Sequence, residues 1–79
     1  MLALPGFPDD LIQRIDYASA TTQYIGFASP GSATSSPVWQ IRRVTLDSSG
    51  RPTAVLFAGG NANFDNVWDN RALATQSYS

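Results

Sequence analysis

The stretch VWQIRRVTLDSSGRPTAVLFAGG, residues 38–60, decides the fold. It reads as two apolar strands joined by a polar turn. Asp47 can hydrogen-bond its own backbone, and Gly50 supplies the positive φ that a tight connection needs. In the returning strand, Thr53, Val55 and Phe57 share one face, and Ala54, Leu56 and Ala58 share the other. Both faces are fairly apolar, so one is expected in the core and the other covered as well. In the first strand, Trp39 and Ile41 have one parity, Val44 and Leu46 the opposite one. The alternation slips at Arg42 and Arg43, and one extra residue there would return all four apolar side chains to one side. That pattern predicts a β-bulge at the arginine pair. Both arginines could then reach water along their stems, or dock a planar carboxylate or phosphate of a partner.

Working outward, LIQRIDYASATTQYIGFA precedes the hairpin. A helix over residues 9–18 has an acidic start and places Leu11, Ile12 and Ile15 on one face. A strand pair places Leu11, Gln13, Ile15 and Tyr17 on one face, with ASATT as the turn. The strand pair is the stronger reading, because QYIGFA is rich in β-formers and has a hairpin beside it to join. Residues 29–37, SPGSATSSP, form a nine-residue loop without core-filling side chains, long enough to cross the sheet or reach a neighbour. After Gly59 and Gly60, the tail spaces Phe64, Val67 and Trp68 for a short helical turn near residues 64–69. RALATQSY then alternates loosely, as a last strand or an extended arm.

These segments predict an all-β fold, an antiparallel sheet or sandwich of about five strands around the central hairpin. Residues 1–9, rich in proline, are read as an extended lead-in without the pattern of a signal peptide. Residues 10–79 are read as a single small β domain with a C-terminal arm. A chain of 79 residues is marginal alone, and it has no cysteine for a disulfide staple. Oligomerisation or docking onto a larger body is the remaining support.

Composition excludes much chemistry. The five cations are all arginine and the six anions all aspartate; lysine, glutamate and histidine are absent. The usual acid–base, nucleophilic and metal-binding groups are therefore missing, and no catalytic, metal or cofactor site is expected. Asp65 and Asp69 are spaced to cap a turn or pair with Arg71. Asn61, Asn63 and Asp65 faintly echo a calcium loop but lack its glycine and glutamate, and read more simply as turn formers. A net charge of −1 without a basic cluster argues against nucleic acid as a partner. No apolar run is long enough to span a bilayer, so no membrane partner is expected.

Trp39 and Trp68 are read as core or interface anchors, or, in the rival reading, as a stacking platform for a glycan. The interface candidates are Trp39, Arg42, Arg43, Phe64, Trp68, Arg71 and Tyr78.

Two stretches, YIGFASPGSATSSPVWQIRR and NANFDNVWDNRA, with the ending YS, resemble a group of short proteins encoded by tailed bacteriophages. The likeness covers roughly residues 10–79 and brings no catalytic or binding residues with it. It implies a structural component of the virion, attached to the tail, tail tip or fibre base through contacts with other virion proteins, and expected as a homo-oligomer. A capsid decoration or cement protein is the alternative within that class. A carbohydrate-binding module of a host-recognition device is the alternative outside it.

Overall fold

A computed structural model describes residues 11–79; the lead-in expected over residues 1–9 lies outside the described residues. The elements run β1 (Ile12–Ser19), β2 (Thr22–Ala28), β3 (Pro37–Leu46), β4 (Pro52–Phe57) and β5 (Asn66–Val67), followed by a 3₁₀ turn at Trp68–Asn70. The first four strands form one antiparallel sheet in the order β1-β2-β3-β4, and β5 pairs with the start of β3. The strand reading of residues 9–18 holds from Ile12 onward.

Local chemistry shapes the connections. The β1–β2 turn is only Ala20 and Thr21, within the predicted ASATT. At the central hairpin, Asp47 Oδ1 accepts from the backbone N–H of Ser49 (2.9 Å) and Arg51 (3.0 Å). Gly50 takes φ 82°, in the left-handed region that favours glycine.

The β3 register corrects the sequence reading. No bulge occurs at the arginine pair: Ile25, Arg42 and Phe57 lie level across three strands, and so do Tyr24, Arg43 and Leu56. The irregularities sit at the ends of β3, between Pro37 and Trp39 and between Thr45 and Leu46. The change of parity along β3 arises because the strand serves two apolar faces in turn. Trp39 and Ile41 point to one face, Val44 to the other, and all three are buried.

The first face carries the core. Ala28, Trp39, Ile41, Ala58 and Trp68 are buried together, with Ile12, Tyr24 and Tyr78 packed against them. The Trp39 and Trp68 rings lie 5.8 Å apart at 40°, a tilted arrangement that aromatic pairs favour. The tail supplies the cover. Instead of a full last strand or a free arm, residues 71–79 turn twice and return to β4 through the Ala58–Tyr78 bridge. Phe57 and Ser79 exchange both backbone hydrogen bonds, at 3.0 and 3.1 Å.

The loop over residues 29–37 is also engaged with its own chain. The Ala33 carbonyl accepts from Trp39 Nε1 at 3.0 Å, and the Thr34 carbonyl accepts from the Asp69 N–H at 3.1 Å. These bonds tie the core indole and the 3₁₀ turn to the connection between β2 and β3.

Candidate functional site

The candidate site is the second face of the sheet. Alternation places Ile15 and Tyr17 of β1, Ile25 and Phe27 of β2, and Val55 and Phe57 of β4 on it. β3 adds Gln40, Arg42 and Val44. The tail packs on the opposite face, and among the described residues no strand or helix is layered over this one. Ile15 is 49 % exposed, Val55 50 % and Tyr17 72 %. The expectation that both faces are covered is thus met on one face only by the described residues.

Arg42 stands at the centre, flanked by its neighbours in register, Ile25 and Phe57. Its guanidinium carbon is 4.9 Å from the centroid of the Phe27 ring and 5.2 Å from that of Phe57, within range of attraction to both ring faces. Nε and Nη2 both donate to Gln40 Oε1, at 3.1 and 2.9 Å. Gln40 is itself buried, and its Nε2 donates to the Ala62 carbonyl at 2.9 Å. Each step removes rotamer freedom from a long side chain, so the cation is held in one place on an apolar surface.

The other candidate residues fall into different settings. Trp39 and Trp68 belong to the chain's own core, at 0 % and 4 % exposure. This is the core half of their reading as core or interface anchors, and it leaves neither indole face accessible for stacking in the described residues. Arg43 points to the first face and lies 4.9 Å from the Tyr78 ring centroid. Arg71 covers the Trp68 ring at 4.5 Å and pairs with Asp16 at 3.0 Å, not with Asp65 or Asp69. Tyr78 packs against Tyr24 and donates its hydroxyl to the Arg71 carbonyl at 2.8 Å. Burial, with the neighbouring Tyr24 adding to it, pushes the Tyr78 phenol up to about 12. Arg43, Arg71 and Tyr78 therefore form one internal network that fastens the tail. Phe64 is 45 % exposed in the connection between β4 and β5.

Sequence reasoning missed Gln40 and Phe27. The signal was present: Gln40 shares the parity of Arg42, and Phe27 is its partner across β2. The assumed bulge hid both. Asn61 acts in a turn, its Oδ1 accepting from the Asn63 N–H at 2.9 Å, whereas Asn66 lies in β5 and its Nδ2 donates across to the Trp39 carbonyl of β3 at 3.0 Å. Among the described residues, no group of three or more His, Cys, Asp or Glu side chains is placed to hold a metal ion.

No family model matches this chain, and no curated protein or solved structure matches it either.

Proposed function

We propose that this chain is an assembly module: a structural component of a tailed-phage virion, attached to the tail, tail tip or fibre base by protein–protein contacts, and repeated there as a homo-oligomer. The observation that supports the assembly reading is the second sheet face, apolar and unlayered by the described residues, with Ile15 and Val55 about half exposed and Tyr17 more so. A layered β architecture buries such a face against something. Covering one half-exposed isoleucine or valine contributes on the order of 1 kcal/mol. A symmetric particle repeats each such contact, so a marginal monomer is held firmly in it. The virion location rests on the likeness of the two quoted stretches to short tailed-phage proteins.

A capsid decoration role uses the same face and the same residues, and separate labelling of purified heads and tails distinguishes it. The glycan-binding reading has less support, since both tryptophans are buried. Catalysis has none in the residue chemistry described above.

The test is a density map of the intact particle, together with light scattering of the purified chain over a range of concentrations. The expected result is a neighbouring chain seated on the Ile15–Val55 face. A chain that stays monomeric throughout and has no neighbour on that face in the particle overturns the proposal.

A further inference from the structure

We infer that Arg42 is a docking point for a carboxylate carried by an apolar segment of a protein partner. The inference rests on the reading of the open face as an assembly surface, and it adds the chemistry of what that surface receives.

Three observations carry it. The first is charge. The ion pairs among the described residues are Arg51–Asp47 and Arg71–Asp16, and Arg42 belongs to neither. It is also the one charged residue that the strands place on this face, because Arg14, Asp16 and Arg43 have the opposite parity.

The second is stereochemistry. A guanidinium has five N–H donors arranged along two usable edges. The Nε/Nη2 edge is taken by a single oxygen, Gln40 Oε1. The described residues give Nη1 no acceptor, so the end-on Nη1/Nη2 edge remains. That edge matches the two oxygens of a carboxylate.

The third is preorganisation. Phe27 and Phe57 wall the guanidinium at 4.9 and 5.2 Å, and the Ala62 carbonyl locks the glutamine that holds it. A donor fixed before binding loses little further entropy on binding. Its surroundings, Ile25, Val44 and Val55, exclude water once a partner covers them, which strengthens the ion pair.

The same features select the partner. A phosphate or nucleic-acid backbone calls for several cations, and this face has one. A second copy packed through the same face brings Arg42 toward Arg42 and supplies no strand carboxylate to either. The fitting occupant is an extended or helical protein segment with an aspartate or glutamate among apolar side chains.

The probe is an acetylated and amidated pentapeptide of leucine, phenylalanine, aspartate, valine and leucine, titrated into the isotope-labelled full chain and followed by NMR. Its control is the twin peptide with asparagine in place of aspartate. The expected result is movement of the Arg42 Nε–H and of the Phe27 and Phe57 ring signals. The aspartate peptide should bind about tenfold more tightly, the size of a hydrogen-bonded charge contact. Arg42→Gln should erase the difference and Arg42→Lys, which keeps charge without the fork, should retain part of it. Near-UV circular dichroism from the Trp39–Trp68 pair reports whether each variant is folded, and the wild-type comparison of the two peptides needs no variant. Equal binding of the two peptides, binding elsewhere, or no binding overturns the inference. Those outcomes leave the assembly reading standing, which fails separately if the particle map shows the face without a neighbour.

Discussion

Gly26 lies beneath the indole of Trp68, so close that a Cβ on residue 26 would stand 2.5 Å from the Trp68 ring. The glycine is required by this approach and not by its backbone, since the positive-φ glycines are elsewhere. Trp39 stands 3.1 Å from the same Cβ position, so the added methyl would meet both indoles. Gly26→Ala is expected to lower stability by roughly 1–3 kcal/mol, the usual cost of overpacking. Urea denaturation measures it, and the near-UV signal of the paired tryptophans should weaken in parallel. An unchanged midpoint would show that the tail is not seated on β2.

Asp16 and Arg71 fasten β1 to the tail across 55 residues of sequence. Both side chains are about two-thirds or more buried, at 31 % and 26 % exposure. Their coupling in a double-mutant cycle of Asp16→Asn and Arg71→Gln is expected to be about 0.5–1 kcal/mol. Arg71→Gln alone should cost more than Asp16→Asn, because Arg71 also covers the Trp68 ring and donates to the Trp68 carbonyl at 3.1 Å. Equal single costs would contradict that second role.

Tyr78 makes the fold sensitive to alkali. Its phenol is raised to about 12 from an ordinary 10.0, so the folded state holds that proton more tightly than the unfolded one does. The resulting stability is fully present below pH 10 and is lost as pH rises toward 12. Ultraviolet titration of the three tyrosines should show a late phenolate that Tyr78→Phe removes. The variant should also lose less stability than wild type between neutral and alkaline pH, although it starts lower for want of the bond to the Arg71 carbonyl.

Val55 tests the open face without touching the core. It is half exposed on edge strand β4, where a lysine blocks both face and edge contacts. Val55→Lys should change monomer stability by no more than about 0.5 kcal/mol, as surface substitutions do. Incorporation into particles, read as the copy number of the chain in purified particles, should fall. Wild-type assembly in this variant would move the contact surface elsewhere.

Much of the fold was legible. The strand pair, the Asp47–Gly50 turn and the central hairpin are local, and turn residues and alternation report local geometry directly. The arginine pair misled because alternation was tested against a single buried face. A strand that is apolar on both sides breaks that test without any bulge. The tail was legible as aromatic and irregular, but its return to β4 depends on backbone bonds between Phe57 and Ser79, which have no side-chain signature.

The candidate site was half legible. Arg42 stood out as a cation inside a strand, yet it could not be told from Arg43. Adjacent residues on a strand face opposite ways, so one lies over Tyr78 in the closed layer and the other between two phenylalanines in the open one. Trp39 and Trp68 were legible as large anchors, but whether they anchor this chain or another is a question of what lies above them.

Composition alone settled that this protein is built from β-formers and turn residues and is poor in groups that move protons or bind metals. Those properties belong to residue types and survive any arrangement. Which face of the sheet is closed, which arginine meets the tail, and which apolar surface is left open were decided only in three dimensions. They follow from where a distant segment comes to rest, and contacts such as Asp16 with Arg71 form only when the whole chain has found one packing.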